Sequence, residues 1–532
     1  MTFSAKIIYT LSISSVLLSL TGCGGSSGKN VHPEPTVSPT PTPTQTPKED
    51  PLFKTQWYLE NTGQTSGAEH GGIPGEDIHV ASVWNEFKGS KANAIAIVDV
   101  GIDAKHPDLK DNLDLSLSYR YSDGSNDPTP TSKYLPHGTA VAGIVAAKGW
   151  NGIGIRGVAP NAKLVGLNVM SAPTEANFID AISRPGIAIS SNSWGFSSNE
   201  LNEFQSLVDA MQAGTQDGRE GKGIIYLFAA GNSRHGSNNS NTNMSSLTNN
   251  PYSITVAAVN AKGQYASYSD YGATVLVAGA GGEDSKVNPA IVTTDLVGLD
   301  RGWDTNRTHY DVVGNENGDY TNRMSGTSAA CPSVTGVVAL MLDANPALTW
   351  RDVRYVLAKT ARKNDSEDGN WTTNAAGLPI NYNYGFGMVD AQKAVEMSKT
   401  FEPLGEEQIY EISTDTNIDI PRDSTTAGVS TLYVTSDMTV EFIEISVTID
   451  DKKDFRHIGD LEIKLTSPQG TESILAWGGV STYGIYDNWK FGTVRSLDEN
   501  ARGNWKLSIK DVDGNSEYSL THWKLKIHGH AL

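Results

Sequence analysis

Up to about residue 400 the apolar residues come in short unbroken runs separated by longer mixed segments. The runs are 94–100 (AIAIVDV), 163–169 (KLVGLNV), 223–229 (GIIYLFA) and 253–259 (SITVAAV), each bounded by glycine or polar residues. They are too short for stable helices, and consecutive rather than alternate positions are apolar, as in strands buried on both faces. Helix-like spacing appears between and after them. Val141, Ile144 and Val145 recur at helical intervals, as do Val334, Val337, Val338 and Met341. The pattern predicts an α/β domain, a parallel sheet with helices on both faces. Pro332, tolerated where amide hydrogens have no intrahelical partner, is expected in the first turn of the last helix, with Ser328 at or just before its start.

Beyond residue 405 the period changes. FIEISVTID, GDLEIKLTSPQGTESILAW and GNWKLSIKDVDGNSEYSLTHWKLKI alternate apolar with polar residues and carry turn signals at Ser467-Pro468-Gln469-Gly470 and Asp513-Gly514. Period two without a helical window predicts an antiparallel, all-β jelly-roll-like sandwich over residues 405–532, after a first domain over residues 50–400. The front differs from both. Lys6 precedes an apolar stretch at 7–20 that ends in Leu20-Thr21-Gly22-Cys23, and a Pro/Thr tract, SPTPTPTQTP, follows. Residues 1–22 read as a signal peptide and 23–49 as an extended linker unable to bury apolar surface. Leu-Thr-Gly-Cys resembles a bacterial lipobox, which implies lipidation of Cys23 and a cell-envelope location, either outer-membrane lipoprotein or released protein. No second apolar run approaches the roughly 18 residues of a membrane span.

Charge narrows the partners. Lys plus Arg number 41 against 60 Asp plus Glu in 532 residues, a net charge of −19. Nothing resembles the basic footprint of a nucleic-acid binder, whereas surplus carboxylates suit solubility or bound divalent cations. Cys331 is the one cysteine besides Cys23, so an acylated chain has no intramolecular disulfide. Cys331 itself reads as a small buried residue. The acidic clusters at 365–368 and 511–513 read as solvated turns.

Candidate chemistry sits at element ends. Asp99 closes the first apolar run, where open α/β sheets place their ligand crevice, though a lone Asp there is more often a turn or cap residue. His137 opens HGTAVAGIVAAKG and Ser328 opens the last helix, and each alone reads as a helix-start residue. Free amides at the Ser328 helix start also favour developing negative charge, and Gly326 leaves room for a substrate backbone. Asp99-Val100-Gly101-Ile102-Asp103, His137-Gly138-Thr139-Ala140-Val141-Ala142-Gly143 and Gly326-Thr327-Ser328-Ala329-Ala330, in that order, resemble the subtilisin-like serine proteases. Ala229-Ala230-Gly231-Asn232 is similar to the family's oxyanion-hole segment. Asp50-Pro51-Leu52-Phe53, Gln56-Trp57, Ser193-Trp194-Gly195 and the C-terminal GDLEIKLTSPQGTESIL resemble the kexin and furin branch, the proprotein convertases with their P-domain.

That resemblance implies an exported, calcium-dependent serine endopeptidase. It gives Asp99, His137 and Ser328 as the triad, Asn232 as oxyanion donor, and Ser193, Trp194 and Gly195 as the edge strand that pairs with substrate. Calcium would be held by Asp50, Asp108, the Asn151 side chain and the carbonyls of Lys148, Ile153 and Ile155. The pattern departs from the branch where acids select basic residues. Ser198, Asn199, Asn238 and Asn243 stand at acidic positions, while Asp270 keeps one acid, so paired-basic specificity is in doubt unless the insertion at 283–319 supplies replacements. Between Cys23 and Asp50 there is no room for the family's prodomain, and either a separate folding chaperone or none is expected. A rival reading is a surface-displayed binding protein with a decayed site. An esterase is a third, disfavoured because a small ester needs no edge strand.

Overall fold

The computed structural model describes residues 48–195, 200–234, 240–283, 286–303, 315–453, 456–514 and 517–532. Cys23, the expected signal peptide, most of the linker, and Ser198, Asn199 and Asn238 lie outside the described residues.

The four apolar runs form the middle of a seven-stranded parallel sheet. Its strands are β1 (Ala94–Asp99), β2 (Tyr119–Arg120), β3 (Lys163–Asn168), β4 (Ile189–Asn192), β5 (Ile225–Ala229), β6 (Ser253–Val259) and β7 (Val275–Ala280), ordered β2-β3-β1-β4-β5-β6-β7. Every residue of β1 and β6 is buried, which requires cover on both faces. Alternation along β1 divides the cover. Ala94, Ala96 and Val98 face the core shared with α2 (Glu175–Ser183) and α3 (Gln205–Asp217). Ile95 and Ile97 face the core shared with α1 (His137–Ala146), α4 (Thr327–Ala344), α5 (Trp350–Thr360) and α6 (Ala391–Lys399).

Helix α4 departs from the one-sided stripe expected of it. It is buried around its circumference, with mean hydropathy 1.3 over 18 residues, so by length and composition it matches a membrane span that the sequence reading had not counted. Because 83% of that window is buried within the protein, it is the central core helix. Between β7 and α4 the chain makes an antiparallel pair, β8 (Ile291–Thr294) with β9 (Tyr320–Met324), and a small pair, β10 (Thr372–Thr373) with β11 (Pro379–Ile380), follows α5.

The C-terminal part is a sandwich of two antiparallel sheets. One contains β12 (Gln408–Asp419), β14 (Thr439–Asp451), β17 (Trp489–Thr493) and β19 (Tyr518–His530), in the order β12-β19-β14-β17. The other contains β13 (Gly428–Val434), β15 (Leu461–Thr466), β16 (Glu472–Ala476) and β18 (Gly503–Asp511), in the order β13-β18-β15-β16. Strand β15 shows the expected alternation of buried and half-buried residues. Asp511, expected in a solvated turn, is instead fully buried at the end of β18. Residues 47–532 pack as one compact unit, and polar side chains join the sandwich to the α/β part. Asn243 exchanges two hydrogen bonds with the Gly492 backbone, and Arg351 pairs with Glu441.

Candidate active site

Strand order reverses about β1, which pairs with β3 on one side and β4 on the other, and such a reversal opens a crevice at the carboxyl ends of the strands. Asp99 closes β1 at that crevice and is 2% exposed. Its Oδ1 accepts the Val100 N–H at 2.7 Å, and its two oxygens lie 3.0 and 2.9 Å from Nδ1 of His137, the first residue of α1. This bond fixes the tautomer with Nδ1–H donating and leaves Nε2 as the basic nitrogen. Burial works to lower the His137 pKa, but the Asp99 charge and hydrogen bond outweigh it and hold the pKa above its ordinary 6.5.

Ser328 is the second residue of α4. Gly326 before it has φ 113°, a conformation open to glycine, and a Cβ there would stand 3.4 Å from Asn232 Nδ2 and 3.5 Å from the Ser328 nitrogen. Ser328 Oγ donates to the Ser193 carbonyl at 3.1 Å rather than to His137, while Ser193 Oγ donates to the Ser328 carbonyl at 3.0 Å. Pro332 explains the second bond. It lies in the second turn of α4, not the first as expected, and lacking an N–H it leaves the Ser328 carbonyl, its i−4 partner, for Ser193 to satisfy. Catalytic hydrogen bonds are often unformed in substrate-free sites, so this geometry does not exclude Ser328 as a partner of His137.

Asn232 follows β5 and is exposed. Its Oδ1 accepts from Thr327 N–H and Thr327 O–H, both at 2.9 Å, so the amide must present Nδ2 outward as a donor. Thr327 was missed in the sequence reading, although a hydroxyl directly before the candidate nucleophile was a visible signal. Trp194 packs on Phe178 at 4.6 Å and Phe228 at 5.5 Å, and Gly195 has open space where a Cβ would stand. The chain leaving β4 therefore combines an anchored Trp194 side chain with an exposed Gly195.

Asp270 is 7% exposed and lies beneath the Asn232 loop, where its Oδ1 accepts the Ser233 N–H at 2.6 Å and its own N–H donates to the Gly231 carbonyl at 3.0 Å. Burial pushes its carboxyl up to about 7, against that bond and the charge of Arg234. Asn243, expected in the pocket, is 0% exposed and bonded to Gly492 of the sandwich, so it joins the two parts and does not line the crevice. Among the described residues of the insertion, three acids serve local partners. Glu283 accepts from Ser267, Asp295 from Leu296 and Trp303, and Asp319 from Gly298.

At the expected calcium loop, Asp108 is 0% exposed and accepts from Asn151 Nδ2 (2.7 Å), Ile155 N–H (3.0 Å) and Tyr320 O–H (2.9 Å). Burial pushes its carboxyl to about 7. Among the described residues no cationic side chain pairs with Asp108, and the carbonyls of Lys148, Ile153 and Ile155 accept no hydrogen bond. An unmet buried charge beside spare carbonyl oxygens fits a hard cation such as calcium. Asp50 is used differently. It receives N–H groups from Trp150 (2.8 Å), Asn151 (3.0 Å) and Gly152 (3.4 Å), and pairs with Arg156 Nε at 2.9 Å. The Arg156 guanidinium stacks 3.9 Å from Trp150 and 4.3 Å from Phe53, so Asp50 carries its own cation and braces the loop.

Comparison with known proteins gives the family. The Subtilase family model matches residues 90–387, and the Proprotein convertase P-domain model matches residues 440–527. An Aeromonas extracellular serine protease from Aeromonas sobria is 31% identical, over 94% of this chain and 90% of its own length. Human neuroendocrine convertase 2 is 33% identical over 90% of this chain and 74% of its own, and kexin from Saccharomyces cerevisiae 33% over 91% and 57%. The crystal structure of the serine protease of Aeromonas sobria superposes with TM-score 0.85 at 28% identity, covering 92% of this chain and 97% of that one. The structure of that protease in complex with the chaperone ORF2 gives TM-score 0.84 at 28% identity, over 91% and 96%.

Proposed function

Because this chain belongs to the subtilase family and is a serine endopeptidase related to kexin and the proprotein convertases, we propose that Asp99, His137 and Ser328 are its triad and Asn232 its oxyanion donor. The observation that carries this reading is the 2.9 Å bond from His137 Nδ1 to a buried Asp99 at the sheet's reversal point. It leaves Nε2 basic in the same crevice that receives Ser328 and Asn232. In the proposed reaction His137 Nε2 takes the Ser328 proton as Oγ bonds to the scissile carbonyl carbon. The oxyanion is held by Asn232 Nδ2–H and the Ser328 N–H, and His137 returns the proton to the departing amine as the C–N bond breaks. Water, deprotonated by the same nitrogen, then releases the acyl group and restores Ser328. Asp99 holds the imidazole in orientation throughout. Ser193, Trp194 and Gly195 offer backbone for pairing with an extended substrate.

Calcium would be held by Asp108, Asn151 and the carbonyls of Lys148, Ile153 and Ile155, with Asp50 and Arg156 bracing the loop. Bound there, it supplies the positive charge that buried Asp108 lacks. Asp270 is the acid available to a basic substrate side chain. Its use in holding the Asn232 loop favours a weaker basic preference than the convertases have. The N-terminal pattern ending in Cys23 supports export, with lipidation of that cysteine. The chaperone bound by the Aeromonas sobria relative supports a separate folding partner.

A fluorophosphonate probe tests the triad directly. It should label the wild-type chain and not Ser328→Ala, and equal labelling of both would overturn the assignment.

A further inference from the structure

The segment 267–271, Ser-Tyr-Ser-Asp-Tyr, grips both loops of the oxyanion side without touching the triad. The Tyr268 hydroxyl accepts the Gly326 N–H at 2.8 Å and turns its own proton toward the carbonyls of Gly281 (2.9 Å) and Gly282 (2.8 Å), just past β7. Burial raises the Tyr268 pKa, so the phenol stays a neutral donor and acceptor. Two residues on, Asp270 holds Gly231 through its N–H and Ser233 through its carboxylate, the neighbours on either side of Asn232. Arg234 adds a third tie, its Nε donating to the Ser269 carbonyl at 2.6 Å.

The far end of this segment meets the sandwich. The Tyr271 ring lies 4.6 Å from the Arg234 guanidinium and 4.8 Å, edge-on, from Trp477, which directly follows β16. Trp477 is held in turn against Tyr382 at 5.0 Å. A continuous set of contacts thus runs from Trp477 through Tyr271 and Arg234 to the Asn232 loop, and along the backbone to Tyr268 and the Ser328 helix start.

Resting on the assignment of Ser328 and Asn232 above, we propose that Tyr268 and Trp477 are positioning residues through which the sandwich sets the spacing of the two oxyanion donors. Such donors work by being held in advance where charge develops, and a displacement of about 1 Å can cost about 10²-fold in rate. Thr327 ties the two loops to each other, and residues 267–271 tie both to the rest of the molecule. The C-terminal sandwich is thereby part of the acylation apparatus as well as of the fold.

Peptide-hydrolysis kinetics of the full chain test this with Tyr268→Phe, Trp477→Ala and Trp477→Phe, alone and with Asn232→Ala. Tyr268→Phe and Trp477→Ala should lower kcat about tenfold or more with KM within about twofold, and Trp477→Phe should restore most of the loss. In the Asn232→Ala background each should add less than about twofold, because only one donor remains and no spacing between two is left to set. Unchanged kcat in both variants, or losses that multiply fully with Asn232→Ala, would overturn the proposal. Should Trp477→Ala fail to fold, Tyr268→Phe, which removes one oxygen, decides. Fluorophosphonate labelling of the wild-type chain separates this from the earlier assignment, since an unlabelled wild type defeats the triad itself.

Discussion

In the proposed triad the 2.9 Å bond between Asp99 and His137 would set both the rate and its pH dependence. His137 must be neutral to accept the Ser328 proton, and Asp99 raises its pKa above 6.5, so activity appears as pH rises through that raised value. Asp99→Asn removes the charge but keeps the burial. The expected result is a fall of about 10⁴ in kcat, with the acid limb of kcat/KM displaced to lower pH, read from a pH–rate profile. Ser193 gives a second test. Ser193→Ala leaves the Ser328 carbonyl without its donor and should cost about 1 kcal/mol of unfolding free energy. In a Pro332→Ala chain the new N–H at 332 can reach that carbonyl, and the same change should cost much less, as denaturant titration of the four chains would show. The proposed triad could be picked out in the sequence because each member sits in a short local motif at an element end. Thr327 and Tyr268 were not singled out, because their roles arise from contacts made only in the fold. Arg156 was likewise hidden, since it meets Asp50 across 106 residues of sequence.

At the scale of elements, unbroken apolar runs identified the strands of the parallel sheet, and alternation identified the sandwich. The central helix was misread because its buried face runs all round, so the spacing of Val334, Val337, Val338 and Met341 described only part of it. Polar partners within the sandwich were not readable from either pattern. On β19, His528 is buried with Nδ1 2.8 Å from Glu407 and Nε2 3.5 Å from Glu444 of β14, and Lys526 lies 3.4 Å from Glu444. Burial opposes charging His528, but the two carboxylates hold its pKa above 6.5. Glu444, raised by burial, is drawn down overall to about 2 by His528, Lys526 and Lys490. The His528 contribution is therefore full below 6.5 and lost as pH rises through its folded value. The Glu444 contribution is full above its ordinary 4.5 and lost as pH falls toward about 2. Both are present between those limits. His528→Gln should destabilise the chain by on the order of 2 kcal/mol near pH 5.5, and by less on either side, in denaturant titrations across pH.

At the scale of the whole molecule, the change of texture near residue 400 suggests two independent domains, yet the structure joins them through buried polar contacts. Asn243 gives its Nδ2 to the Gly492 carbonyl at 3.1 Å and takes the Gly492 N–H on Oδ1 at 2.7 Å, while Trp489 Nε1 donates to the Asn243 carbonyl. Asn374 reaches the carbonyls of Arg495 and Leu497, and Arg351 binds Glu441 and the Gly405 carbonyl. Side-chain amides satisfying strand backbone across a buried boundary require the two parts to be folded together, because each alone would leave those groups without these partners or expose them to water. Thermal unfolding is therefore expected as one transition for both parts. Asn243→Ala removes two buried bonds and strands the Gly492 N–H and carbonyl, at a cost of about 2–4 kcal/mol. Asn243→Asp should cost more, since the ionised side chain keeps the acceptor for Gly492 N–H but sets a negative oxygen against its carbonyl. Scanning calorimetry should show a lowered but still single transition for Asn243→Ala. Two separated transitions in the wild type would mean that the sandwich and the catalytic part unfold independently.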